Sequence, residues 1–481
     1  MRYLISQFVG FVNNQYYSIL VILLIIVGFY YSYLTGFVQF RMLPYVFDIL
    51  TEKQEKHEKH HITPFQALMI STASRVGIGN IAGIAVAVVL GGPGALFWMW
   101  AMAFFGGASA FAESTLAQVY KSRDGKSFKG GPAYYISKAL NLKWLGAVFA
   151  VILIITYAYG FNGLQSQTMT SAFEFYYKGM VDASEVSFAQ SWWPIVIGAI
   201  LAVFAAYMFF GDHTKIGKVS SVIVPIMAMI YVGLSIIAMF MNFDKIPEVF
   251  SMIFKSAFDF EAIFGGFAGS ALVIGIKRGL FSNEAGMGSA PNAAASALTT
   301  HPAKQGVIQA FSVLIDVIIC TSSGFLVLFS LAYANNIGVD GKPILTALPL
   351  VQESMKEYYG NLGVHFTTVS IVLFAITSLI GNYYYAQANI KYLTQNPIII
   401  NLFKASAVLM IFIGANMDLK FAWDLADTTM AFMATINIIS ILLLGGIVKK
   451  VLKDFSEQKR QGRDPVFSAS KLGIKNAECW D

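Results

Sequence analysis

Charge is what this sequence of 481 residues has least of. Lys, Arg, Asp and Glu together make up 12% of it, where soluble domains carry about 25%. So few charges cannot clothe a surface that faces water on all sides. Cysteine is almost missing too. Cys320 and Cys479 provide neither a disulfide framework nor the spacing of a metal-binding motif. The six histidines, His57, His60, His61, His213, His301 and His365, all fall in loops or at the ends of apolar runs. No His-Asp-Glu cluster shares one face of a run, and no phosphate-binding glycine loop precedes a basic residue. An enzyme is therefore not expected. The run Lys56-His57-Glu58-Lys59-His60-His61 reads as a solvated face near anionic lipid, not as a metal site. No catalytic residue and no cofactor is expected, and the net charge of +6 does not call for a nucleic-acid partner.

What the chain has instead is apolar length, 56% of its residues. Eleven apolar runs approach the roughly 20 residues that cross a bilayer. They fall at about 18–40, 65–90, 94–120, 144–178, 193–210, 216–241, 262–290, 305–334, 364–393, 398–415 and 421–447. The first lacks both a basic leader beyond Arg2 and a small-residue cleavage site, so it reads as a retained span. The expected fold is an all-α, multi-pass membrane protein. Residues 1–64 hold an extra N-terminal span and a polar cytoplasmic arm. Residues 65–447 form the core, and 448–481 a basic, poorly ordered cytoplasmic tail. Placing the C-terminus in the cytoplasm collects 23 of the 33 Lys and Arg residues on that side and leaves seven outside. That bias sets the N-terminus outside. Ala347 to Tyr359 reads as an amphipathic helix lying across the outer mouth.

One span is spoiled at its centre. Ser71-Thr-Ala-Ser-Arg-Val-Gly-Ile-Gly-Asn-Ile-Ala-Gly83 puts an arginine, an asparagine and three glycines where the run should be most apolar. Gly79 and Gly83 have the spacing of a close helix-packing motif. The other reading is a broken helix, which lipid tolerates only where protein or a polar cavity takes up the freed backbone groups. A second run carries Gly275-Ile-Lys-Arg-Gly279 at a similar depth, about 200 residues on. Five spans begin with each break, over 65–241 and 262–447, and the two sets start on opposite sides. Interrupted spans at matching places of inverted halves point to the binding site of a secondary transporter.

The polar residues near these breaks each allow two readings. Freed amides at Gly77, Ile78 and Gly79 would hold a carboxylate at the positive end of the next half-helix. Carbonyls at Ala73 and Val76 would hold Na⁺. Asn80 is either a ligand or a cap on the broken helix. Gln165 makes either an interhelical hydrogen bond or a substrate contact. Thr377 and Ser378 bond back to their own helix or give two oxygens to Na⁺. Gly275 marks the second break. Arg75, Lys277, Arg278, Glu113, Glu284 and Asp316 are expected to pair with one another. An ion channel or a substrate sensor remains as an alternative, although two unlike breaks in one chain fit neither as well as a transporter.

At these residues the chain resembles the alanine/glycine:cation (sodium:alanine) symporter family. The matching segments are Arg75-Val-Gly-Ile-Gly-Asn-Ile-Ala-Gly83, Gly91-Gly-Pro-Gly-Ala-Leu-Phe-Trp-Met-Trp100, Glu113-Ser-Thr-Leu-Ala-Gln118, Gly130-Gly-Pro-Ala-Tyr-Tyr135 and Lys277-Arg-Gly-Leu-Phe-Ser-Asn-Glu-Ala-Gly-Met-Gly-Ser-Ala-Pro291. The resemblance implies a leucine-transporter-type 5+5 inverted repeat with an extra N-terminal helix. It implies Na⁺-coupled, less often H⁺-coupled, uptake of alanine or glycine by alternating access at the bacterial plasma (inner) membrane. The first break then matches the site for substrate carboxylate and Na⁺. Asn80 and Gln165 match polar contacts to the amino acid, and Thr377 and Ser378 match hydroxyl ligands of Na⁺ beside the Ala73 and Val76 carbonyls. Three positions depart from the pattern. Ile78 stands where a small or hydroxyl residue is usual, Asn382 replaces a tryptophan expected near the substrate side chain, and Gln387 replaces a glutamate. A substrate-facing Asn382 widens the pocket and adds an amide, which leaves the amino acid carried, and the coupling ion, open. Oligomeric state is not legible.

Overall fold

A computed structural model describes residues 2–52, 62–125, 127–180, 186–211, 213–338 and 342–480. Almost all of it is helix. The long elements are α1 (Arg2–Thr35), the short pair α2 (Pro64–Arg75) and α3 (Ile84–Leu90), α4 (Gly94–Val119), α5 (Pro132–Ala139), α6 (Lys143–Ile154), α7 (Asn162–Ser171), α8 (Trp193–Phe210) and α9 (His213–Met241). They continue with α10 (Ile246–Ala257), α11 (Ala271–Asn283), α12 (Pro291–Ser296), α13 (Pro302–Leu328), α14 (Ala347–Tyr359), α15 (Asn361–Leu393), α16 (Pro397–Ala415), α17 (Leu419–Leu443) and α18 (Gly445–Arg460). Two short strands, β1 (Ser122–Asp124) and β2 (Ser127–Lys129), pair antiparallel between α4 and α5.

Eight helices among the described residues are long and apolar enough to cross a membrane, and ten if each of two bent pairs is one span. The eleven expected are therefore not all reproduced. The run at 262–290 folds as the 13-residue α11 followed by non-helical chain, too short alone to cross at 1.5 Å per residue. The first span ends at Thr35 instead of Phe40, because Gly36 and Phe37 both take positive φ and turn the chain. The span at 144–178 passes through a π-helical stretch at Ile155–Phe161. Residues 53–61, with the Lys56–His61 run, lie outside the described residues. The expected helix at Ala347–Tyr359 forms with those bounds as α14.

Apolar faces such as Phe29, Ile200, Val203, Tyr207 and Leu443 remain exposed, as a lipid-facing surface requires. Inside, helices meet closely. A side chain at Gly414 of α16 would run into the backbone of Gly163 in α7, so position 414 tolerates no more than hydrogen.

The tail is docked, contrary to the expectation of little order. Phe467, Ala469, Ile474 and Ala477 are buried. Trp480 donates its indole N–H to the Gln118 carbonyl at 2.8 Å. The backbone N–H of Phe467 bonds the carbonyl of Thr300 at 3.0 Å, and Lys304 joins Asp464 at 2.9 Å. The tail thus crosses the ends of α4, α12 and α13, and its apolar residues explain the order that its basic composition hides. Replacing the anchor, Trp480→Ala, removes a half-buried aromatic contact and an indole hydrogen bond, together worth about 1–2 kcal/mol. In limited proteolysis of the detergent-purified full chain, cleavage beyond residue 463 is expected to speed up about tenfold. An unchanged rate would show that the indole does not hold the tail.

Candidate functional site

The first break is built by a helix that stops because its next residues cannot continue it. Val76 is extended, with φ −77° and ψ 96°, and Gly77 follows. Helix resumes as a π-helical turn at Gly79–Gly83 before α3, and the two halves meet at 51°. A Cβ on Gly77 would strike Ser378 Oγ of α15 and come within 3.3 Å of Gln165 Nε2. A Cβ on Gly79 would press on the Phe281 ring of α11. The glycines therefore do more than bend the chain: they let three other helices reach the break.

Asn80 takes the capping role and also ties the break to neighbouring helices. Its Oδ1 accepts the Gly77 amide at 3.0 Å, which caps the half-helix. Its Nδ2 donates to Ser282 Oγ at 3.0 Å and to the Asp316 carboxylate of α13. Ser282 also donates to Asp316 at 2.8 Å. All three side chains are buried. The Gly77 amide is thus already spoken for, which corrects the expectation that it is free for a ligand.

On the other side of the break lies a cluster of oxygens. Ser378 Oγ stands 3.2 Å from the Ala73 carbonyl, 3.5 Å from that of Val76 and 2.9 Å from that of Phe374. One hydroxyl has one proton, so at most one of these carbonyls receives it. Thr377 bonds the Phe374 carbonyl within its own helix at 2.8 Å. Gln165 is buried, and its Oε1 has no hydrogen-bond partner. Asn382 donates to Asn162 Oδ1 at 3.0 Å.

The second break is displaced from its expected place. Gly275 lies inside unbroken α11, where a side chain would collide with Ala95 and Trp98 of α4, so it is a packing glycine. The chain opens eight residues later. Glu284 is left-handed, with φ 55°, and Gly286 and Gly288 have φ 81° and 87°. Buried Glu113 accepts the amides of Gly286 at 3.2 Å and Gly288 at 3.0 Å, together with Asn437 Nδ2 at 2.7 Å. Glu284 accepts hydroxyls of Ser74, Tyr157 and Ser289 at 2.8–2.9 Å, and Arg75 Nε lies 4.0 Å from it.

Of the charges expected to pair with one another, only Arg75 and Glu284 meet; Lys277 and Arg278 instead take Asp427 of α17, a residue outside that set. Glu113 serves backbone amides. Beside the breaks, Phe281 lies between Phe161 and Trp423 with tilted rings at 4.7 and 5.1 Å, and Arg278 lies over Trp423 at 4.2 Å. A cavity of about 550 Å³ lined by Val273, Lys277, Arg278, Trp423 and Asp427 opens beyond this aromatic cluster. Ser74, Tyr157, Asn162 and Ser282 were missed by sequence reading. Their common signal is a cluster of polar residues within an otherwise apolar run.

A broken helix, α2/α3, packs against α11 and the irregular chain that follows it inside a multi-pass bundle, an architecture that suits a membrane transporter. The crystal structure of MhsT in complex with L-phenylalanine matches with a TM-score of 0.55, over 86% of this chain and 95% of that one, at 15% identity. That likeness shows the fold, of the leucine-transporter type. The sodium:alanine symporter family profile matches residues 1–469. The chain belongs to that family, and it is a transporter, not an enzyme. A Bacillus subtilis relative described as the probable sodium/glutamine symporter GlnT is 42% identical over all of this chain and 97% of its own. The sodium/alanine symporter AgcS of Methanococcus maripaludis is 36% identical over 92% of this chain and 95% of its own.

Removing Glu113 tests its place under the second break. Glu113→Ala leaves two backbone amides and one side-chain amide without an acceptor. A loss of about 3 kcal/mol or more is expected, read as a thermal midpoint several degrees lower in detergent. A midpoint equal to that of the parent would remove Glu113 from this role.

Proposed function

We propose that the protein imports a small neutral amino acid of the alanine/glycine class together with Na⁺ by alternating access. Its setting is the bacterial inner membrane, with the N-terminus outside and the C-terminus inside. The observation that carries the reading is the gathering of the Ala73 and Val76 carbonyls around Ser378 Oγ beside a half-helix start. Three oxygens with one proton among them suit a hard cation, and Thr377 Oγ1 adds a fourth once it turns from its own helix. The Ile78 and Gly79 amides open the next half-helix, where first-turn amides have no intrahelical partner, and suit the substrate carboxylate. Gln165 Oε1 then accepts from the substrate ammonium. Asn80 holds the half-helices in register and touches substrate only through them. Gly275 takes no part.

The α2/α3 pair and the α11/α12 pair are read as the leading elements of two inverted five-span halves, with α1 outside them. The Arg278–Asp427 pair and its aromatic neighbours close the outer side, and the docked tail lies at the inner side. A cycle would open these two closures in turn. Proton coupling is the second reading, and the same experiment separates the two.

Vesicles containing the purified chain are expected to accumulate labelled alanine or glycine when an inward Na⁺ gradient is imposed, and not when it is replaced by choline. Accumulation driven by a pH gradient alone would transfer the coupling to protons. Uptake indifferent to both gradients would end the symport reading. Ser378→Ala is expected to raise the Na⁺ concentration for half-maximal uptake about tenfold, equivalent to about 1.4 kcal/mol of lost coordination. An unchanged half-saturation would take Ser378 out of the cation site.

A further inference from the structure

A chain of polar side chains runs from the first break and ends on open hydrogen-bonding groups. Ser74 Oγ lies 2.8 Å from Glu284 Oε1 and 3.3 Å from Asn382 Oδ1. A hydroxyl has a single proton, and the shorter, charge-assisted bond takes it. Asn382 Oδ1 is then without a donor. Asn382 Nδ2 donates to Asn162 Oδ1 at 3.0 Å, and Asn162 Nδ2 has no partner at all. Both amides are almost wholly buried, at 1% and 0% exposure. Two carboxamides joined by one hydrogen bond thus leave one acceptor and one donor unused. Turning both amides over reverses the roles and again leaves an unused group on Asn162. Native interiors seldom leave such groups unpaired, because each costs about 1–3 kcal/mol.

The position of the pair relates it to the substrate. Asn162 and Gln165 are three residues apart on α7, so they share a face, and Gln165 reaches the break at Gly77. Asn382 follows Ser378 by four residues on α15 and shares its face. Asn162 and Asn382 therefore lie one helical turn from the groups proposed for the ammonium and the cation. A primary amide side chain of two or three carbons beyond Cα spans about that distance. It also offers what the pair lacks: a carbonyl for Asn162 Nδ2 and an N–H for Asn382 Oδ1. A carboxylate has no proton to give Asn382 and would face the buried Glu284. An aliphatic side chain would leave both groups unpaired.

We infer that Asn382 and Asn162 determine side-chain specificity, and that the chain carries amino acids with a primary amide side chain in preference to acidic or aliphatic ones of equal length. The inference rests on the proposed amino-acid transport, and its test is arranged so that the two fail separately.

The full chain is reconstituted in liposomes with an inward Na⁺ gradient, and uptake of labelled alanine is competed with glutamine, asparagine, glutamate and norleucine. Glutamine or asparagine is expected to compete at concentrations at least tenfold lower than glutamate and norleucine. Equal competition by norleucine and glutamine would overturn the inference while leaving symport standing. Absence of any Na⁺-driven alanine or glutamine uptake would overturn the transport reading itself. Asn382→Leu removes the amide at nearly constant volume. It is expected to raise the ratio of the glutamine KM to the alanine KM about tenfold, with Asn382→Gln restoring part of the preference. A merely structural asparagine would give the two KM values the same change and leave the ratio where it was.

Discussion

A helix that stops inside a bilayer must hand its hydrogen bonds to something other than water. Everything at the centre of this protein follows from meeting that demand twice. At the first break one side chain, Asn80, takes the freed Gly77 amide and ties the break to α11 and α13. At the second, the carboxylate of Glu113 takes the freed amides of Gly286 and Gly288. The two solutions differ because the geometries differ. The first break bends by 51° and soon resumes helix. The second leaves several residues in left-handed or irregular conformation and needs an acceptor with two oxygens.

Burying carboxylates at this depth is costly unless each is well supplied with donors. Glu284 receives three hydroxyls with a guanidinium 4.0 Å away. Asp316 receives the amide of Asn80 and the hydroxyl of Ser282. These acids therefore act as fasteners between helices that are short and apolar. Cutting one leaves its donors stranded.

Legibility in the sequence followed the strength of the local signal. The first break was readable because Arg75, Asn80 and three glycines stand out against an apolar background. The α14 helix was readable because its amphipathic period is clear and Gly360 ends it. The second break was misplaced because Gly275-Ile-Lys-Arg-Gly279 looks just as disruptive as the residues that follow. Only packing against Ala95 and Trp98 shows that Gly275 is small for its neighbours' sake. The tail was misread because composition counts its lysines and not where Phe467, Ile474 and Trp480 land. The roles of Ser74 and Asn162 depend on partners more than 200 residues away, which one sequence does not reveal.

The two ends of the bundle are closed by different physics, and this sets what the proposed cycle has to overcome. On the side of α14, closure is a compact cluster of the tilted rings of Phe161, Phe281 and Trp423 beside the Arg278–Asp427 pair. In the proposed cycle such a cluster would separate if α11 and α17 moved apart. On the other side, closure is distributed. The tail bonds the end of α4, the connection before α13 and the start of α13 through Trp480, Phe467 and Asp464, and Lys304 also joins Glu52. Distributed contacts give way together or hardly at all. In the proposed cycle, opening that end would require the tail to move with one of the elements it bridges.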